Sequence, residues 1–159
     1  MTVKIELCVN GEVISIDVED DETLLDTLRE RLGDTSTRYA CGIGVCGACT
    51  VLLDGDAVSA CLQLSQAVVG RDVETAEHVL TEPDSLGREV LDAFVESSAF
   101  QCSYCIPAMA LTVTHLFARD PDASPAQIRA ALGGNLCRCG SYPQIMQAVD
   151  RLVARRGAP

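Results

Sequence analysis

From Ala40 to Cys49 the chain reads Ala-Cys-Gly-Ile-Gly-Val-Cys-Gly-Ala-Cys, three cysteines and three glycines in ten residues. Such a run has neither the apolar periodicity of a core element nor the polar mix of a surface loop. The spacing is C-x4-C-x2-C, and a fourth cysteine, Cys61, follows just past a short hairpin pattern. A [2Fe–2S] cluster needs four thiolates, and C-x4-C-x2-C…C is their plant-type spacing. Gly42, Gly44 and Gly47 lack Cβ atoms, so the backbone can wrap closely around a cluster and turn N–H groups toward its sulfurs.

Two other readings compete for these residues. Gly42-x-Gly44-x-x-Gly47 also matches the dinucleotide fingerprint, but that motif needs a strand before it and a helix after it. Here a strand-like run, Thr50 to Leu53, comes next. Structural zinc sites usually present paired C-x2-C knuckles, and only Cys46 and Cys49 fit that pattern. The stretch therefore favours iron–sulfur chemistry over zinc.

A length of 159 residues admits one ordinary domain or two small ones. Aromatics make up only 4% with no Trp, so bound clusters would help to staple small cores. Met1-Thr2-Val3-Lys4-Ile5-Glu6 lacks a basic region followed by an apolar one, so no secretory signal is visible. The nine cysteines are then expected in a reducing cytoplasm, as metal ligands rather than disulfides. No apolar run reaches the length of a membrane span. A net charge of -11 argues against a nucleic-acid partner, and any protein surface close to an anionic cluster is expected to be neutral or basic.

Along the chain, Val3, Ile5, Leu7 and Val9 alternate with polar positions, Asn10-Gly11 is a hairpin turn, and Ile14, Ile16 and Val18 continue the alternation. Cys8 falls on the face opposite the apolar set and reads as structural. Leu24, Leu25, Leu28 and Leu32 recur at helical spacing, with Asp21 or Thr23 as cap and Gly33 as stop. Val51, Leu53, Asp54-Gly55 and Val58 form a second hairpin that returns Cys61 toward the other three cysteines. The α+β division that follows is a β-rich module over residues 1–76, a linker over 77–83 and a helical module over 84–159. Helices are expected from Leu86 to Val95, from Pro107 to Arg119, from the Ser124-Pro125-Ala126-Gln127 capping box to Leu132, and across Ile145 to Val153.

The helical half holds Cys102-x2-Cys105 and Cys137-x-Cys139, both at helix ends, where the partial positive charge of a helix N-terminus stabilises thiolates. By itself this set suits zinc as well as iron. Beside a module with its own four cysteines, a second cluster is the better reading.

Three segments carry a resemblance: Cys41 to Gly55, Phe100-Gln-Cys-Ser-Tyr-Cys-Ile-Pro107, and Gly134-Asn-Leu-Cys-Arg-Cys139. They closely resemble the small iron–sulfur subunit of the molybdenum hydroxylases, the family of xanthine dehydrogenase, aldehyde oxidoreductase and aerobic carbon monoxide dehydrogenase. The resemblance covers residues 3–155. It implies a plant-ferredoxin-like β-grasp domain followed by a four-helix domain, each holding one [2Fe–2S] cluster. It implies an outer cluster on Cys41, Cys46, Cys49 and Cys61, facing FAD in a medium subunit. It implies an inner cluster on Cys102, Cys105, Cys137 and Cys139, nearer the molybdenum–pterin cofactor of a large subunit. Gln101 matches the glutamine that hydrogen-bonds the pterin, and Cys139 the cysteine closest to it. The implied assembly is a heterotrimer, open to dimerisation. Ser103, Ile106 and Ala108 stand where the family usually has glycine, threonine and glycine, and Gly140-Ser141 replaces the usual Thr-Gly. These departures surround the inner cluster and remove no ligand.

The expected function is electron transfer, single electrons leaving a molybdenum site through two clusters toward FAD or another acceptor. A free-standing two-cluster ferredoxin is the alternative, suited by the acidic surface; a colourless zinc-stapled module is a third. His78 and His115 have no partner set that suggests a nucleophile, and no catalytic residue is expected in this chain.

Overall fold

The computed structural model describes residues 1–157. The first alternating run forms β1 (Thr2–Val9), paired antiparallel with β2 (Glu12–Glu19) in a register that sets Thr2 against Glu19 and Val9 against Glu12. Asn10 and Gly11 both take positive φ, the mirror-image turn that follows the right-handed twist of a hairpin. Three more strands complete a mixed sheet, β3 (Thr50–Leu53), β4 (Asp56–Ser59) and β5 (Asp72–Glu74), in the order β2-β1-β5-β3-β4. β5 lies parallel to β1 and antiparallel to β3.

Thr23 caps α1 (Leu24–Asp26) by accepting from the Asp26 N–H. The expected helix through Leu32 is present but not regular: over Thr27–Arg31 it widens into a π turn, the Leu32 N–H reaching the Thr27 carbonyl at 3.1 Å. Leu24, Leu25 and Leu28 pack with Leu7, Val18, Val51, Leu53 and Val73 to form the first core.

β3 is buried along its whole length. Val51 and Leu53 enter the first core while Leu52, on the opposite face, enters the second, which is why the run Val-Leu-Leu is continuously apolar. The segment 77–83, expected as a linker, is mostly helix: α2 (Ala76–Thr81) follows β5 directly and sinks Ala76 and Leu80 into the second core. Its two buried residues, four apart, make too short a stripe to stand out in sequence.

The second core is built by α3 (Leu86–Glu96), α4 (Ile106–Arg119), α5 (Pro125–Ala131) and α6 (Tyr142–Arg156). α4 is its centre. Met109, Ala110, Val113 and Phe117 are fully buried, and the hydroxyls of Thr112 and Thr114 are satisfied by carbonyls one turn back. The Ser124 capping box is formed as its sequence predicts. Among the described residues no helix is long and apolar enough to cross a membrane.

Candidate metal centres

Cys41, Cys46 and Cys49 lie on the loop between α1 and β3, and Cys61 on the short turn Ala60–Leu62 after β4. The β3–β4 hairpin brings the fourth cysteine home: the Ala60 N–H donates to the Cys49 carbonyl at 3.1 Å. Cys49 and Cys61 are buried, Cys41 and Cys46 half-buried, and all nine cysteines are free thiols. The thiols approach in pairs, Cys41 with Cys46 and Cys49 with Cys61. N–H groups of Ile43 and Cys46 point at the Cys41 sulfur, and with the Cys46 thiol they bring its pKa down to about 6. Burial pushes the Cys49 thiol up to about 11.

Gly42, Gly44 and Gly47 all take positive φ. At Gly47 nothing larger fits, since a Cβ would overlap the Gly134 carbonyl oxygen, whereas at Gly44 a Cβ would have to push aside the exposed Leu62 side chain. The Gly47 carbonyl is held from its own side by the Thr50 hydroxyl at 2.7 Å.

In the second half Cys105 precedes the first residue of α4, and Cys137 and Cys139 lie in the loop that enters α6. The pairs are Cys102 with Cys139 and Cys105 with Cys137. Burial pushes Cys105 up to about 12. The Tyr104 N–H, then the Cys139 thiol, hold Cys102 below its ordinary value. Burial opposes ionisation of Cys137, yet its pKa is lowered, because the Ser141 N–H, the Cys105 thiol and the Gly140 N–H outweigh it. Gln101 is exposed and its amide donates to the Cys139 carbonyl at 3.2 Å. Ser103 sits at φ 63 and Gly140 at φ 79, whereas Ile106 and Ala108 are buried in α4.

The two sets meet across the boundary between the cores. The Leu136 N–H, one residue from Cys137, donates to the Cys46 carbonyl at 2.9 Å. Asn135, 4% exposed, donates from Nδ2 to the Gly47 carbonyl at 2.9 Å, while its Oδ1 accepts from the Thr112 hydroxyl at 3.2 Å. The Tyr142 hydroxyl donates to the Asn135 carbonyl and accepts from the Cys137 N–H. On the other flank the Tyr104 hydroxyl donates to the Tyr39 carbonyl, and the Arg38 guanidinium lies 5.5 Å from the centre of the Tyr104 ring. A cavity of about 400 Å³ opens between the sets, lined by Cys46, Cys102, Cys105 and Cys137. Asn135, Tyr142 and the Tyr104–Tyr39 contact were not singled out from sequence. The one signal for them is position, since each lies within three residues of a cysteine.

No three His, Cys, Asp or Glu side chains among the described residues close on a single-ion position. Each set supplies the four thiolates that a two-iron cluster divides between its metals.

Comparison with known proteins agrees. Residues 7–81 match the model of the 2Fe-2S iron-sulfur cluster binding domain, and residues 75–150 that of the [2Fe-2S] binding domain. One nicotinate dehydrogenase subunit of Pseudomonas putida is 38% identical over 159 residues, covering 100% of both chains. The nicotinate dehydrogenase small FeS subunit of Eubacterium barkeri is 40% identical over 153 residues, covering 96% of each. The chain belongs to the small iron–sulfur subunits of the molybdenum hydroxylases. The fold of such a subunit is seen in the crystal structure of quinoline 2-oxidoreductase from Pseudomonas putida 86, which superimposes with a TM-score of 0.87 at 36% identity over 98% of both chains. A small iron–sulfur subunit is thus an electron-transfer part of a multisubunit oxidoreductase.

Proposed function

We propose that this subunit carries single electrons from a molybdenum–pterin site in a large partner subunit, through an inner and then an outer [2Fe–2S] cluster, to FAD in a medium partner subunit. Residues 1–76 would hold the outer cluster on Cys41, Cys46, Cys49 and Cys61. Residues 84–159 would hold the inner one on Cys102, Cys105, Cys137 and Cys139, with 77–83 joining the two. When bound, each cluster supplies a reversible one-electron site. The chain's own residues do the rest: they fix the sulfurs, aim N–H groups at them, and hold the two sites against one another.

The observation that carries the reading is the direct link between the two thiol sets. From Cys46 to Cys137 the path is one hydrogen bond, Leu136 N–H to Cys46 carbonyl, and one peptide unit. A zinc staple has no use for such a bridge. Apolar side chains stand exposed around the two sets, Ile43, Val45 and Leu62 beside the first, Phe100 beside the second, and Leu136 and Tyr142 at the cavity between them. Exposed apolar surface of this kind suits a chain covered by partners rather than a freely diffusing carrier. Gln101 and Cys139 would face the pterin, the glutamine already tied to the Cys139 carbonyl. The assembly is a heterotrimer in this reading, open to dimerisation and placed in the cytoplasm, where a reducing poise keeps the thiols free for iron.

The test is iron, acid-labile sulfide and electron paramagnetic resonance on anaerobically purified protein. About four irons and four sulfides per chain, with two distinct rhombic signals on reduction, are expected for two [2Fe–2S] centres. Zinc in place of iron, or a single signal, overturns the relay.

A further inference from the structure

Ser141 stands at the N-cap of α6, yet it does not cap it. Thr23, Ser85 and Ser124 each turn a hydroxyl onto a backbone N–H of the helix they precede. All three have extended backbones there; Ser141, at φ -71 and ψ 13, does not, and its side chain accepts nothing from α6. Its hydroxyl is buried with no hydrogen-bond partner among the described residues, in a residue only 2% exposed. A buried hydroxyl left unsatisfied is destabilising, so a partner is to be sought. One sulfur is at hand. The Ser141 N–H already donates to Cys137 Sγ at 3.4 Å, which places the side chain of the same residue beside that atom.

We infer that the Ser141 hydroxyl is a second donor to the Cys137 sulfur in the cluster-bound protein, and that it raises the reduction potential of the inner cluster. Burial without a partner in the thiol form is explained by the change of acceptor: a metal-bound thiolate carries more negative charge than a thiol and accepts more strongly. Reduction places one further electron on the cluster, supplied by oxidation of the enzyme's substrate. No bond forms or breaks at Ser141, and its proton stays on Oγ. The donor favours the electron-rich state and so moves the potential upward. The inference rests on the assignment of Cys102, Cys105, Cys137 and Cys139 to a [2Fe–2S] centre.

The experiment is a redox titration of the assembled enzyme followed by electron paramagnetic resonance, comparing the parent with Ser141→Ala and Ser141→Gly. The outer cluster serves as the internal reference. Both variants keep the backbone N–H; Ser141→Ala loses only the hydroxyl, and Ser141→Gly the Cβ as well. Each is expected to shift the partition of an electron between the clusters about three- to tenfold toward the outer one, tenfold being about 59 mV for one electron. The outer potential stays fixed. An unshifted inner potential in both variants, a shift in Ser141→Gly alone, or equal shifts of both clusters overturns the inference. Failure of the underlying assignment looks different, as a missing inner signal in the parent enzyme.

Discussion

Ser103 shows what a single backbone angle costs. Its φ of 63 lies in the left-handed region, where an L side chain is disfavoured by about 1–2 kcal/mol. Glycine is the usual residue there in the family, and the angle explains why. Ser103→Gly is therefore expected to stabilise the chain by roughly 0.5–1 kcal/mol, the relief of strain less the extra entropy of unfolded glycine, as read from thermal unfolding. Glu22 makes the opposite case, a residue whose environment is well matched. Its carboxylate accepts from Arg31 at 2.6 Å and from the Thr27 hydroxyl at 2.8 Å, and the Arg31 guanidinium brings its pKa down to about 2. A depressed carboxyl contributes stability that is complete above its ordinary value near 4.5 and is lost as the pH falls through that value toward 2. Glu22→Gln should lower stability at pH 7 by on the order of 1 kcal/mol, after allowance for screening at the part-exposed Arg31, and flatten its fall between pH 5 and 2 in urea titrations.

At the scale of elements, the join between the cysteine loops matters more than either loop. Asn135 serves three neighbours at once, and Asn135→Ala leaves the Thr112 hydroxyl with one partner fewer and the Gly47 carbonyl with only its local ones. A loss of about 2–3 kcal/mol is expected, together with slower reduction of the outer cluster by the inner one in rapid-mixing experiments. Gly87→Ala probes a second close approach, because an added Cβ would overlap the Val79 carbonyl where α3 crosses α2. It should cost about 1–3 kcal/mol by chemical denaturation and leave the cluster signals unchanged. These joins also mark the limit of what sequence shows. The cysteine spacing and the hairpin that returns Cys61 are local patterns and could be read directly. The bond from Asn135 to Gly47 spans 88 residues, and nothing in Gly-Gly-Asn-Leu-Cys says which distant carbonyl the amide will meet. α2 escaped notice for a related reason: its burial is dictated by α3 and α4, not by a periodicity of its own. Within the π turn after α1 the Thr27 hydroxyl likewise meets that of Ser65, 38 residues away.

Over the whole molecule, the division into a sheet-based half and a helical half was legible from the switch of apolar period, because each half has its own core. What the period did not disclose is that the halves share a strand. β3 gives Val51 and Leu53 to one core and Leu52 to the other, so neither half is closed without it. A single cooperative unfolding transition, with matching midpoints for far-ultraviolet circular dichroism and visible cluster absorbance, is expected of the cluster-loaded protein. Two separated midpoints would mean that the shared strand couples the halves weakly.

The shared strand also bears on kinetics. Two redox centres on hinged domains would exchange electrons only as often as the hinge brought them close, and solvent friction would set that frequency. Here the wall between the halves is a buried strand packed on both faces, so the gap that the electron crosses is built once, at folding. Thickening the medium with sucrose or glycerol would then slow encounters with outside molecules and leave the step within the chain running at its own pace.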